Sequence, residues 1–167
     1  MKAPSNPHPR PAGISSLAKV DLTGVDRYRV ARLATANERG KPLVVPVCFA
    51  CGTDAIYSVL DEKPKRVTAT RLRRVRNILA NPQVCLLVDH YEEDWGRLAY
   101  ILIEGTAKII TEKTERTEAT ESAEHAEALR LLREKYPQYR AMRLEGRPVI
   151  KISPQRFITW KASLRAE

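Results

Sequence analysis

The sequence contains no apolar run long enough to cross a membrane. A transmembrane helix needs about 20 predominantly apolar residues, and every apolar stretch here is interrupted well before that length. Residues 1–11 are rich in proline and lack the apolar segment of a signal peptide. We therefore expect a cytoplasmic protein with a disordered or extended tail over residues 1–20 and one domain over residues 21–167.

Cysteine and histidine are both scarce, with three residues of each. Cys48 and Cys51 form a C-x-x-C pair, but no second pair stands at zinc-ligand spacing. We expect these two and Cys85 to be reduced and packed as small hydrophobic residues. His8 lies in the tail and His125 in a charged helix, so His90 is the one candidate general acid or base.

The sequence also lacks a glycine-rich phosphate loop and a nucleophile with a neighbouring base. If the chain is an enzyme, a bound organic cofactor should carry the reaction. The loop at residues 89–95 combines carboxylates with the imidazole of His90. Adjacent loop residues seldom converge on one ion, so we expect no metal there. A solvated loop with Trp95 at an interface and a loop lining the mouth of a cofactor pocket both remain open.

Positive charge, in contrast, is abundant: the formal net charge is +9, which favours an anionic partner. Residues 63–76 contain seven cations and no acidic residue. They also contain no aromatic residue of the kind that stacks on single-stranded nucleic acid, which makes nucleic acid the weaker alternative. A helix that opens on cations opposes its own dipole, so we predict an external phosphate held by Lys65 and Arg66.

The hydrophobic pattern predicts mostly strands. The pattern of residues 29–36 and 43–49 predicts a β-hairpin. The second strand is apolar throughout, as where a barrel wall also forms a subunit interface, and Pro46 marks an edge or bend. A third strand is expected at residues 55–60. A helix then follows over residues 68–80, with Leu72, Val75 and Leu79 on one face.

The second half of the chain continues the pattern. Strands are predicted at residues 84–89 and 98–110, with a kink at Gly105. A charged helix covers residues 114–136, and a last strand pair covers residues 148–152 and 156–160. Consecutive hairpins with few crossover helices predict an antiparallel barrel with inserted helices.

Several short segments, taken in order, carry a resemblance to a known family. They are residues 34–42, 44–47, 56–58, 65–66, 80–82, 103–107 and 157–160. This order resembles the pyridoxamine 5'-phosphate oxidase-like superfamily, and within it the branch that uses coenzyme F420. The acidic and aromatic loop at residues 89–98 is similar to that of one subgroup predicted to use F420.

The resemblance implies a fold and a set of binding residues. The fold is a mostly β (α+β) structure, an antiparallel six-stranded split β-barrel of the FMN-binding type with peripheral helices, which forms a homodimer with cofactors in the grooves between subunits. Main-chain groups of Val45, Pro46 and Val47 would back the tricyclic ring, Ser58 and Val59 would lie beside the ribityl chain, Lys65 and Arg66 would hold the phosphate, and Trp160 of the other subunit would close over the cofactor.

Three departures from the family pattern shape the expected function. Tyr100 stands where the oxidases carry a glutamine near the flavin, so we place Tyr100 at the ring. The sequence ends shortly after Trp160, without the arginine-bearing segment that grips pyridoxal phosphate, so we do not expect pyridoxamine phosphate oxidation. Extra residues after Arg66 add basic charge where a longer anionic tail would run, and Arg73 is among the arginines that would bind it.

The sequence therefore predicts an oxidoreductase that binds F420 and transfers a hydride to an unidentified small organic acceptor. An FMN-dependent oxidoreductase of the same fold is the alternative within the family. A non-enzymatic cofactor or haem-binding protein, with His90 as axial ligand, is the alternative from another class.

Overall fold

The computed structural model describes residues 22–61, 71–112 and 119–162, together with the two-residue strand at Ile14–Ser15. The strands are β1 (Ile14–Ser15), β2 (Ala31–Ala36), β3 (Pro42–Val47), β4 (Ala50–Cys51), β5 (Ile56–Val59), β6 (Gln83–His90), β7 (Ala99–Ile110) and β8 (Val149–Lys161). The helices are α1 (Thr23–Asp26), α2 (Arg73–Ala80), α3 (Ala119–Lys135) and α4 (Pro137–Arg140), and a short 3₁₀ turn covers Trp95–Arg97.

All of these strands belong to one antiparallel sheet. Its order is β3-β2-β6-β7-β8-β5-β4, and β1 pairs with β8. The sheet curls into a half-barrel, which confirms the predicted split-barrel class. The sheet has eight strands instead of the expected six because β1 and β4, of two residues each, join the six longer ones. No helix of the described segments is long and apolar enough to span a bilayer.

The end of the chain forms one strand where two were expected. β8 runs unbroken along β7, and the register shifts at a bulge between Glu104 and Gly105. A Cβ added to Gly105 would lie 2.3 Å from the carbonyl oxygen of Ser153. The predicted kink at Gly105 is therefore confirmed, and the close approach of β8 explains why glycine is needed there.

Helix α2 turns a different face to the sheet from the predicted one. Val75 and Ile78 are buried, whereas Leu79 is 70% exposed. The expected face through Leu79 is wrong because Val75 and Ile78, three residues apart, are the pair that packs on the core. Asn77 is also buried and donates from Nδ2 to Thr35 Oγ1 at 3.0 Å, so α2 is fixed to β2 by a hydrogen bond as well as by packing.

The buried side chains form two clusters on either side of the curled sheet. One lies inside the sheet and under α2, and includes Leu33, Phe49 and Ile103. The other lies between β5, β8 and the helices α3 and α4, and includes Leu132 and Tyr139. The C-terminal end of α3 therefore packs close to the strands that carry the predicted site.

Candidate functional site

Strand β3 lies at one end of the sheet, with β2 as its only strand partner among the described elements. One side of its main chain is therefore left without a strand partner. Val45 is half-buried, Pro46 exposed and Val47 buried, and Pro46 stands opposite Arg32. The predicted edge at Pro46 is confirmed, and an edge suits recognition of a ligand ring through main-chain groups.

Strand β5 brings Ser58 and Val59 close to the end of β3. Ala50 pairs with Tyr57 and Cys51 with Ile56 in the β4–β5 ladder. Continuing this antiparallel register by two residues leads from β5 towards Cys48, which directly follows Val47. Ser58 and Val59 are buried, with 3% and 5% exposure, and they pair with Ile150 and Val149 of β8, so the single chain leaves little of either residue open to a ligand.

Lys65 and Arg66 fall in residues 62–70, outside the described residues, but both flanks of this segment are described. Before it, Leu60 donates its N–H to the carbonyl of Pro148 at 2.9 Å. Asp61 is buried and accepts a hydrogen bond from the hydroxyl of Tyr139 at 3.3 Å. After it, α2 begins at Arg73. The segment that carries the cationic pair thus starts beside β5 and ends at α2.

The start of α2 is a helix N-terminus without a cap. Leu72 makes no side-chain hydrogen bond to the first turn, and this turn holds no acidic residue. Helix N-termini present unsatisfied N–H groups and the positive end of the dipole. Three arginines around it are exposed: Arg71, Arg73 and Arg76. The predicted cationic helix is therefore present in the structure, one turn shorter in its described part than the predicted helix over residues 68–80.

Arg74 differs from its neighbours because it is half-buried. Its Nε is buried and has no hydrogen-bond partner among the described residues. Burial lowers the pKa of this guanidinium, and the nearby carboxylate of Asp61 opposes that shift. Sequence reasoning treated residues 71–76 as one group and missed this distinction. An unpaired buried donor beside an uncapped helix start is an environment that an anionic group such as a phosphate fits.

Tyr100 and Trp160 lie elsewhere on the sheet. They are directly opposite each other on β7 and β8, and their rings stack with centroids 5.7 Å apart and an interplanar angle of 21°. Strands β2 and β6 separate them from β3. Within one chain, Val45–Val47 lie on β3, Ser58 and Val59 lie on β5, and Arg73 begins α2, which packs against β2 and β7.

The outer face of the sheet, opposite the core, carries both apolar and charged side chains. Val44 on β3 is 59% exposed. Ion pairs join Arg32 to Asp89, and Arg156 to Glu104 at 3.3 Å. A groove of about 560 Å³ includes the second pair in its lining, which consists of Ala34, Thr35, Ala36, Pro42, Gln83, Val84, Cys85, Glu104, Gln155 and Arg156. The face is thus apolar in part and crossed by charge pairs.

The acidic loop after β6 is held by its own contacts. Glu92 lies 3.0 Å from His90 Nε2 and 3.1 Å from Arg97 Nε. Trp95 is 77% exposed in the single chain. The described residues contain no group of three or more histidine, cysteine or acidic side chains arranged to hold a metal.

Among the described histidines, His125 is the buried one. It is buried on the inner side of α3, with Nε2 2.8 Å from the carbonyl oxygen of Arg147. It lies on the predicted charged helix, and it is buried because α3 packs on β5 and this turn faces inwards. The ring has a structural role as a buried hydrogen-bond partner.

The three cysteines are free and half-buried. Burial, with a contribution from Asp26, raises the pKa of the Cys51 thiol to about 12. At neutral pH this thiol is protonated and a poor nucleophile or metal ligand. The expectation of reduced cysteines that pack as hydrophobic residues agrees with this environment, although none of the three is fully buried.

Comparison with known proteins identifies the family. The model of the pyridoxamine 5'-phosphate oxidase family matches residues 22–161. The chain therefore belongs to this family, as the order of short segments in the sequence predicted. No curated protein matches the sequence.

Solved structures with the same fold differ in what they bind. The haem storage protein HutZ from Vibrio cholerae is 14% identical, with a TM-score of 0.59 over 84% of this chain and 94% of that chain. An FAD-binding protein from Mesorhizobium loti is 18% identical, with a TM-score of 0.57 over 87% and 94%. A structure described as an F420 reductase is 20% identical, with a TM-score of 0.55 over 84% and 98%. At these identities the likeness shows the fold alone.

Proposed function

We propose that the protein is an oxidoreductase that binds coenzyme F420 and transfers a hydride to a small organic acceptor. The observation that carries this proposal is the cationic start of α2, where an uncapped helix end lies beside the buried, unpaired Nε of Arg74. In a split barrel of this family, that feature supports binding of a cofactor phosphate.

The residues present have distinct roles in this proposal. Main-chain groups of Val45–Val47 border the ring on the open side of β3, and Ser58 and Val59 border the ribityl chain. Lys65, Arg66 and Arg74 hold the phosphate as point charge and guanidinium donors. The bound deazaflavin supplies the hydride. The protein contributes binding, orientation and exclusion of water around the acceptor.

The exposed arginines of α2 favour F420 over FMN. F420 carries an oligoglutamate tail beyond its phosphodiester, whereas FMN ends at its phosphate. Arg71, Arg73 and Arg76 are exposed and have no acidic neighbour in the first turn of the helix. They give a carboxylate tail a surface of complementary charge, and an FMN complex would leave this surface without a ligand.

The proposal includes a homodimer. In the single chain, Val44 and Pro46 on β3 are exposed, and Leu87 and Leu102 at the centre of the sheet are half-buried. Tyr100 lies on a strand that β2 and β6 separate from β3, and Trp160 lies ten residues along β8 from Ile150, which pairs with Ser58. A second copy packed on the outer face of the sheet would cover the apolar residues. It would also bring its own aromatic pair towards the open side of β3.

The cofactor preference is tested by removing the exposed arginines. Arg71, Arg73 and Arg76 are replaced together by serine, and F420 and FMN are titrated in parallel. The affinity for F420 should fall about tenfold or more, because each arginine at the surface contributes a few tenths of a kcal/mol or more to a carboxylate, while the affinity for FMN changes less. The matched control replaces the exposed Arg27, Arg39 and Arg143. An unchanged F420 affinity, or an equal loss in the control, would contradict the proposal.

The structure of a haem storage protein with this fold makes haem a second candidate. His90 is the exposed histidine of the described residues, but its Nε2 is occupied by Glu92. A haem complex through His90 would have to break that ion pair. A Soret band on addition of haemin, lost in His90→Ala, would favour this alternative.

A further inference from the structure

Two buried tyrosines lie where α3 ends and α4 begins. Tyr136 is 5% exposed and Tyr139 is 3% exposed, and their ring centroids are 5.4 Å apart. Both hydroxyls point to backbone or carboxylate groups of distant segments. Two of the contacted residues, Phe49 and Asp61, each lie two residues beyond a strand of the proposed cofactor site.

Tyr136 holds the end of β3. Its hydroxyl oxygen accepts the N–H of Phe49 at 3.0 Å and lies 2.8 Å from the carbonyl oxygens of both Phe49 and Arg29, to one of which it donates its single hydrogen. Phe49 follows Val47 by two residues. Lys135 adds a second contact, because its Nζ lies 3.8 Å from the centroid of the Phe49 ring and 2.9 Å from Asp26 Oδ1. The chain after β3 is therefore fixed through both its backbone and its side chain.

Tyr139 holds the end of β5. Its hydroxyl donates to Asp61 Oδ2 at 3.3 Å. Asp61 follows Val59 by two residues and is the last described residue before the segment with Lys65 and Arg66. The carboxylate of Asp61 also lies close enough to Arg74 to raise the pKa of the guanidinium, against the effect of burial. Tyr139 therefore contacts the residue from which the cationic segment departs, and its hydroxyl also lies beside the Cys48 thiol.

We propose that Tyr136 and Tyr139 are positioning residues, which set the end of β3 for the cofactor ring and the end of β5 for its phosphate. This inference rests on the proposed function. The short helical segment with these two tyrosines thereby contacts the ends of both β3 and β5. In the chain these two strands are joined through β4. Because the tyrosines touch neither ring nor phosphate, they act through the backbone of residues 45–49 and 58–61.

The two tyrosines should affect different parts of the cofactor. In Tyr136→Phe, the affinities for FMN and for riboflavin should fall together, by about fivefold, the worth of one net hydrogen bond. In Tyr139→Phe, which also loses the contact with Cys48, the affinity for FMN should fall by a similar factor, and that for riboflavin, which lacks the phosphate, should fall less. The same contrast is expected between F420 and its phosphate-free deazaflavin.

Tyr57→Phe is the matched control. Tyr57 is equally buried, and its hydroxyl also donates a hydrogen bond, at 2.8 Å to Glu124 of α3. Its loss should lower the stability of the protein without changing the ratio of FMN to riboflavin affinity. If Tyr136→Phe does not fold, Lys135→Met removes the contact with the Phe49 ring and should reproduce the uniform loss.

The outcomes separate the inference from the function on which it rests. Wild-type protein that binds none of the four ligands would overturn the proposed function and the inference with it. Wild-type binding with unchanged affinities in both tyrosine variants, or the same FMN-to-riboflavin ratio in both, would overturn the inference alone. Amide hydrogen exchange should accelerate at residues 45–49 in Tyr136→Phe and at residues 58–61 in Tyr139→Phe, and equal protection to wild type would also overturn it.

Discussion

The arginines of α2 lie in two different environments, one exposed to solvent and one half-buried. Arg73 and Arg76 project into solvent, and Arg74 turns towards Asp61. In the sequence all three belong to a single basic run. Because an α-helix places successive residues about 100° apart, only a position close to the buried Val75 and Ile78 can be partly withdrawn from water.

Arg74→Met is expected to weaken the binding of FMN and F420 about tenfold. Methionine is of similar length, but it lacks the charge and the N–H donors that Arg74 offers to the proposed phosphate site. Riboflavin should bind with unchanged affinity. Arg76→Met, on the exposed side of the same helix, is the control and should leave the FMN affinity within about twofold. Isothermal titration checks all three proteins. Equal effects of the two substitutions on FMN would contradict a special role for Arg74.

Long-range partners explain what residue-level reading of the sequence missed. Tyr136 contacts Phe49 and Tyr139 contacts Asp61, and 87 and 78 residues separate these pairs along the chain. No local pattern marks such a contact, because a tyrosine on an amphipathic helix has the same spacing whether its hydroxyl meets water or a distant backbone. The burial of His125 is likewise not visible in the local sequence, since charged neighbours surround it in sequence while its own turn faces the core.

At the scale of elements, the sequence predicts strand positions well and strand ends less well. Alternating and continuous apolar runs located β2, β3, β5, β6 and β7, because these patterns follow directly from which faces are buried. The two-residue strands β1 and β4 carry too few residues for any pattern. The bend within β8 looked like a break between strands, because Pro154 and the polar residues beside it interrupt the apolar run while pairing continues past the bulge.

The β7–β8 bulge provides the prediction for this scale. Gly105→Ala would place a methyl group against the backbone oxygen of Ser153, where relief requires the two strands to move apart. The free energy of unfolding should fall by about 2 kcal/mol. Gly24→Ala is the control, because a Cβ there meets nothing within 4 Å. In α1 this change should leave stability equal or raise it by up to about 1 kcal/mol. Urea unfolding of both variants is the measurement, and equal stability of the two would contradict the close packing of β7 and β8.

At the scale of the whole molecule, the outer face of the sheet is the surface on which the proposed dimer would form. The apolar composition of β3 predicts that both of its faces are covered, and in the single chain its outer side is open at Val44. The proposed cofactor-binding residues fall in two groups, one on β3, β5 and α2 and the other at Tyr100 and Trp160. Two chains would explain this division if each supplies one group to a shared site. Sequence alone gives this arrangement only through the family resemblance, because no pattern within one chain specifies which copy supplies an aromatic residue.

Val44→Asp should convert the proposed dimer into a monomer, since two buried carboxylates would face an apolar interface. Sedimentation velocity measures the change. Leu79→Asp is the control, because Leu79 is also an exposed apolar residue but lies on α2. This variant should sediment as the wild type does. A monomeric wild type, or dissociation in both variants, would contradict an interface on the outer face.

The central claim is that an anionic deazaflavin cofactor is held between the edge of β3 and the start of α2. Parallel titration of the purified apoprotein with F420 and FMN, followed by absorbance and fluorescence, tests this claim most directly. The account predicts saturable binding of both, with F420 bound at least about tenfold more tightly because of its longer anionic tail. Binding of FMN in preference to F420 would contradict the cofactor assignment, and failure to bind either would contradict the site itself.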